Sequence, residues 1–389
     1  MINCCFRVFD LLLSQIVCIG DKSRRDFTVP ATPSLWGRVG VGLLVALLCG
    51  CITKYNPTGI DEIADILVVD GVITDDETII TLSHSVNLTE AQSVSTYYID
   101  HAMVYVVCDD GTQWEAEPQW EGAKERNGRY LIKNGMLNTG RKYSLRIGIG
   151  EFDYISDYSY PIITPEIDSV FWMKTGRGQP VMIHVATQST DGNAMYCRWR
   201  YKEDWEINSE IPLIGYPYFC WNTGNSREML LGSSEKTVFG RITDVVAEIL
   251  PSNRKLAVMY RIDVRQNAIS KRGYDYYENI RINAKQIGSI FAPIPSELRG
   301  NITCTTDPGR PVIGYVDVSS TTQSRMYIPR SANVYERRFS TDCEPFVLET
   351  KPDDDTYAVE FEGGYLWRDC VDCTRFGTEQ KPDDWPDND

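Results

Sequence analysis

The sequence predicts a mainly β protein made of two sandwich-like domains, the second carrying one long helix and a disulfide-held C-terminal tail. Three observations carry this. Short β-branched runs with period-two alternation recur from residue 60 onward. Pro161 and Pro165 interrupt them. One stretch alone, Ser270–Ile287, repeats its apolar residues at threes and fours. The 389 residues are 42% apolar, enough for a packed core in each domain and too many for wholesale disorder. A net charge of −15 argues against nucleic acid or anionic headgroups as partners.

In the first domain, residues 61–163, Ile66–Ile73 and Thr78–Ser83 read as strands around the acidic turn Thr74–Glu77. Met103–Cys108 precedes Asp109-Asp110-Gly111, a hairpin signal. Arg129–Ile132 follows. Then comes Tyr143–Ile149, where Tyr143, Leu145, Ile147 and Ile149 face one way and Ser144 and Arg146 the other. About seven strands in roughly 100 residues suggest a sandwich, and their order looks like an immunoglobulin-like or transthyretin-like module. The boundary falls at Pro161–Glu166, an extended linker.

In the second domain, residues 167–389, Asp168–Met173, Pro180–Val185 and Ala194–Trp205 restart the strands. Leu256–Arg265 alternates cleanly, with Leu256, Val258, Tyr260, Ile262 and Val264 on one face and Ala257, Met259, Arg261, Asp263 and Arg265 on the other. The helix over 270–287 has Ser270 as its cap and Gly288 past its end. Its stripe of Tyr276, Tyr277, Ile280, Ala284 and Ile287 is expected to lie on the second sheet. Val312–Val318 and Arg325–Ile328 are further strands, and the tail from Trp367 is irregular.

Residues 1–50 read as a signal region. Arg38 precedes the apolar run Val39–Leu48, which is too short to span a bilayer and has the length of a signal-peptide core. Leu48-Cys49-Gly50-Cys51 resembles the bacterial lipobox, so Cys51 is expected to carry the lipid. Residues 1–36 do not fit a signal n-region, and translation is expected to begin near Leu35–Val41. Residues 51–60, broken by Pro57 and Gly59, then form a tether.

From Tyr218 onward the chain resembles the Bacteroidetes lipoprotein family known as domain-of-unknown-function family 4249. The matching stretches are Cys220-Trp221, Met229–Ser234, Gly273–Glu278, the long block Gly288–Ser320, Cys370–Gly377 and Lys381–Trp385, and Ile66–Asp76 also fits. The likeness extends over nearly all of 51–389, with Thr378 a departure where members often have glycine. It implies an outer-membrane lipoprotein, often encoded beside TonB-dependent receptors, and no chemistry.

Seven cysteines follow Cys51, so at least one stays free, and Cys108 in its strand is the expected buried thiol. Two bridges are expected within Cys304, Cys343, Cys370 and Cys373, joining the tail to the strands after Asn301. Cys370-Val371-Asp372-Cys373 is formally a C-x-x-C. A structural bridge is favoured over zinc or redox use, because the motif has neither a second close pair nor a βαβ setting.

No G-x-S-x-G, H-E-x-x-H, P-loop or dinucleotide fingerprint occurs, and no cofactor or metal site is expected. His84 and His101, with Ser83, Ser85 and Asp100 nearby, read as satisfied surface groups rather than triad members. Asp353–Asp355 and Asp383–Asp389 lack the spacing of a calcium loop. Trp199 and Trp205, with Tyr201 between them, and Tyr216, Tyr218 and Trp221 soon after, read either as an aromatic core or as a platform for a glycan or peptide. The expected function is ligand capture beside a TonB-dependent transporter. The rivals are an adhesive surface protein and a hydrolase with an unrecognised site.

Overall fold

The computed structural model describes residues 66–85, 97–121, 125–189, 195–286, 300–336, 343–347 and 357–386. The signal region 1–50, Cys51, the tether 51–60 and Ile287 lie outside the described residues, as do Asp353–Asp355.

Eight strands follow one another before the proline break: β1 (Leu67–Thr74), β2 (Asp76–His84), β3 (Met103–Cys108), β4 (Gln113–Glu115), β5 (Glu117–Glu121), β6 (Glu125–Gly135), β7 (Tyr143–Ile149) and β8 (Phe152–Ser156). They divide between two sheets, β1-β2-β6-β5 and β8-β7-β3-β4. The inward residues of both meet in one core that includes Ile73, Ile80, Leu82, Val106, Ile132, Leu145 and Ile147. Alternation places them there, since side chains two apart share a face.

After the break come β9 (Ile167–Met173), β10 (Val181–Gln188), β11 (Tyr196–Asn208), β12 (Phe219–Asn225), β13 (Leu230–Ser233), β14 (Arg241–Ile249) and β15 (Met259–Ala268). The sheet β14-β10-β9 closes over a sheet in which β11 pairs with β12, β13 and β15. Trp199, Ile183, Val185, Tyr260, Ile262 and Val264 form the core between them.

The chain then forms α1 (Lys271–Gln286) and returns to the first sandwich. β16 (Ile302–Cys304) pairs with β8, while β17 (Val312–Gly314) and β18 (Val318–Ser319) run parallel to β1. β19 (Thr321–Pro329) rejoins β15 in the second sandwich. The expected boundary at 161–166 therefore marks the chain's first passage from one sandwich to the other, but it is not a clean division. Residues 302–319 belong to the first sandwich, and Glu62–Asp389 forms one compact unit. Their β-branched pattern fixes a strand state but not the sheet that receives it.

The tail adds the hairpin β20 (Ala358–Phe361) and β21 (Gly364–Trp367), then the single turn α2 (Arg368–Val371). Among the described residues no helix is long and apolar enough to cross a membrane.

The helix begins where the sequence places it. The Ser270 hydroxyl accepts from the Gly273 amide at 3.0 Å, a side-chain cap. Tyr276, Tyr277 and Ile280 pack with Tyr196, Leu231 and Tyr315, so the stripe meets the second sheet together with the returning segment. Asp317 Oδ1 accepts from the Ser270 amide at 3.2 Å, while Oδ2 is buried without a partner. A Cβ at residue 273 would stand 2.1 Å from that Oδ2. Only glycine fits there, despite its cost in a helix.

Burial pushes the Asp317 carboxyl up to about 6, against the opposing pull of Ser270 and Arg198. A raised carboxyl favours the folded state below its ordinary value and loses that contribution as pH rises through about 6. Asp317→Asn should therefore stabilise the protein near neutral pH by about 2 kcal/mol and flatten its stability between about pH 4 and about pH 7. Urea unfolding of both proteins at the two pH values reads this. An unchanged pH profile would show that Asp317 is not the titrating group.

Candidate functional site

β11 is the long strand on which the site is built. Trp199, Tyr201, Glu203 and Trp205 share its inward face by alternation, but their surroundings differ. Trp199 is buried, and its indole N–H donates to Gln266 Oε1 at 2.8 Å. Farther along, the two sheets of the second sandwich part, and the same face opens into a cleft of about 720 Å³. Tyr201 and Trp205 form its aromatic floor. Asn222, Thr223 and Asn225 of β12 line one side and Val245–Glu248 of β14 the other, with Arg227 and Glu228 also in the lining.

An acid on the inward face of a strand needs a partner, because burying an unpaired charge is costly. Glu203 has two. Lys255 Nζ contacts its Oε1, and Tyr260 donates to its Oε2 at 2.8 Å. Burial and the adjacent Glu203 together push the Tyr260 phenol far up, so it stays protonated and can donate. Lys255 Nζ also lies 4.5 Å from the Trp205 ring centroid, a cation–π contact that fixes the indole. Opposite Glu203 in the ladder stands Gly224, where a Cβ would come 2.8 Å from the carboxylate oxygen. The glycine thus leaves room for the Glu203–Lys255 pair.

The tail supports the outer wall. Cys220 of β12 is bonded to Cys373, and Cys343 to Cys370. Trp221 and Thr378 exchange two backbone hydrogen bonds at 2.8 Å. Asn222 Nδ2 donates to the Phe376 carbonyl at 2.6 Å, and the Arg254 guanidinium sits 3.7 Å from the Phe376 ring centroid.

Several expectations are corrected here. Of the four cysteines expected to form two bridges, Cys304 takes no part. It is a buried free thiol on β16, and Cys220 takes its place. β16 is paired to β8 in the first sandwich, whereas the tail bonds to β12 of the second. Cys370 and Cys373 are each bridged, to different partners. Cys108 and Cys197 are buried free thiols, and burial pushes Cys197 up to about 12.

The six aromatics do not form one platform. Trp199 is core. Tyr216 packs against the tail's buried cluster of Val359, Leu366, Cys370 and Val371. Tyr218 lies in a separate depression with Arg254 and Tyr335, and Trp221 lies on the strand edge that pairs with Thr378. Tyr201 and Trp205 alone line the cleft. Sequence reasoning missed Glu203, Lys255 and Tyr260; the available signal was a carboxylate in register with three inward aromatics.

His184 stacks on Phe171 at 5.1 Å, and His101 is exposed. Among the described residues no group of three or more His, Cys, Asp or Glu could hold a metal ion. The arrangement can hold a polar ligand with an apolar face by ring stacking and side-chain hydrogen bonds.

Fold and cleft define a class: a β-rich protein of two interleaved sandwiches, with a disulfide-clamped tail supporting an open, aromatic-floored cleft. Within that class, the model of the family described as Domain of unknown function (DUF4249) matches residues 52–325, and the chain belongs to that family. No curated protein matches the chain. A solved structure described as "Cytokine receptor complex - Crystal form 1A" is similar at 9% identity over 51% of this chain and 82% of that chain, with a TM-score of 0.19. A score that low carries no argument about fold or function.

Proposed function

We propose that the protein is a lipid-anchored outer-membrane protein that captures a glycan in the Tyr201–Trp205 cleft and supplies it to a TonB-dependent transporter. The cleft carries the reading. Its two aromatic faces are suited to the C–H faces of a sugar ring, and Asn222, Thr223, Asn225 and Glu228 offer hydrogen bonds to hydroxyls. The lipobox-like Leu48–Cys51 supports the anchor, and two or more acyl chains hold a protein stably at a membrane. Tethering raises the local concentration of captured ligand at a neighbouring pore without any covalent step. The transporter link rests on the family resemblance.

The test is binding to a panel of soluble glycans and peptides. Trp205→Ala should weaken glycan binding at least about ten-fold, near 1.4 kcal/mol, without unfolding the protein. Preferential binding of peptides would redirect the reading to a peptide receptor, and an unaffected Trp205→Ala would remove the cleft from it. Cys51→Ala should bind equally well but leave the membrane fraction.

A further inference from the structure

The outward face of the β12-β11-β15-β19 sheet carries a ladder of charges, in which some rows set acid against base and others do not. Asp204 on β11 stands opposite Arg261 on β15, with Oδ2 and Nη2 2.6 Å apart. Lys202 stands opposite Asp263, which in turn faces Arg325 on β19 at 2.5 Å. The next row places Arg200 directly opposite Arg265, with Gln323 beyond. Like charges facing each other across strands are destabilising unless something neutralises them.

The neighbouring acid does not suffice. Asp70 of β1 gives Oδ1 to Arg198 at 2.6 Å and Oδ2 to Arg200 at 2.8 Å, so both its oxygens are engaged. Burial opposes its ionisation, but Arg198 and Arg200 prevail and hold the carboxyl below its ordinary value. Arg265 has no ion pair among the described residues. Glu77 lines the same depression as these arginines but makes no ion pair with them. Arg198, Arg200 and Arg265 line one depression of about 70 Å³ with Asn267, Thr321 and Thr74. Arg198 is buried, and its Nη1 is enclosed without a hydrogen-bond partner. Three arginines thus line a space the size of one small anion, with Arg265 the exposed one and Arg198 the buried one.

We propose that this depression is an oxyanion site, in which Arg200 and Arg265, backed by Arg198 and Asn267, bind a carboxylate, phosphate or sulfate group. Planar guanidinium groups present paired N–H donors that match these anions. The site lies on the opposite face of β11 from the aromatic cleft and does not depend on the glycan reading.

The test uses the full chain, melted and titrated calorimetrically in sodium phosphate, sulfate or acetate against chloride at matched ionic strength. Phosphate and sulfate separate a tetrahedral preference from the planar one reported by acetate. At least one of the three should raise the melting temperature above that in chloride and show saturable binding. Arg265→Gln, at an exposed position, should bind that anion at least ten-fold more weakly while melting no lower than wild type in chloride. Arg265→Glu, which supplies the missing acid opposite Arg200, should melt higher in chloride and lose the response. No response to any of the three anions overturns the proposal. So does an equal response in Arg265→Gln, or a lower melting temperature of that variant in chloride.

Discussion

With Cys220 and Cys373 both replaced by alanine, the protein should lose about 3–5 kcal/mol of stability. The bridge joins residues 153 apart, so it removes much of the freedom of the unfolded chain. Replacing Cys343 and Cys370, only 27 apart, should cost about 1–2 kcal/mol less in the same loop-closure account. The longer bridge has a second consequence because of where it lies. Cys220 lies near the start of the strand that supplies Asn222 and Thr223 to the cleft, and Cys373 anchors the segment whose Phe376 carbonyl accepts from Asn222. Its loss should therefore weaken ligand binding as well as folding, whereas loss of the shorter bridge should mainly expose the β20–β21 hairpin to protease. Urea unfolding and limited proteolysis of both double variants distinguish the two roles. Equal destabilisation would show that loop length does not govern them.

What could be read in advance depended on whether a residue answers to its neighbours in sequence or to distant ones. In β7, Tyr143, Leu145 and Ile147 are buried as alternation requires. Ser144, placed on the polar face, is buried too, because its hydroxyl donates to the Ser156 carbonyl at 2.7 Å on the adjacent strand. β15 begins at Met259 rather than Leu256, since the Asn253 side chain accepts from the Lys255 amide and turns Arg254–Leu256 into a 3-10 helix. Alternation marks Arg261 as outward, and it is, yet the tail covers it. The return of residues 302–319 to β1 and β8, the exchange of Cys304 for Cys220, and the Glu203–Lys255 pair share one property. Each is a contact between distant segments that leaves no periodic trace in either. The cleft was half legible for the same reason: Tyr201 and Trp205 stand out on one strand, but where two sheets part is a property of both.

Arg261→Met should destabilise the protein by about 3–5 kcal/mol, although it replaces a charged side chain by an apolar one of similar length. Arg261 is 3% exposed in its side chain and its partner Asp204 is 1% exposed. Nη2 and Nε of the arginine reach Oδ2 at 2.6 and 3.2 Å. Removing the cation leaves a buried carboxylate with Lys202 3.7 Å from its other oxygen, and desolvation of that charge dominates the cost. The arginine also donates from Nη1 to the Asp383 carbonyl at 3.0 Å and lies 5.3 Å from the ring centroid of buried Trp385, so it fastens the end of the tail. The two contributions separate in a double-mutant cycle. Asp204→Leu combined with Arg261→Met removes both charges and should recover most of the stability, since a buried pair contributes little net of its desolvation. The tail contact is not restored by that second change, so protease cleavage near Asp383 should remain faster than in wild type even where the melting temperature has returned. If the double variant is as unstable as Arg261→Met alone, the uncompensated carboxylate is not the cause, and the tail contact must account for the whole effect.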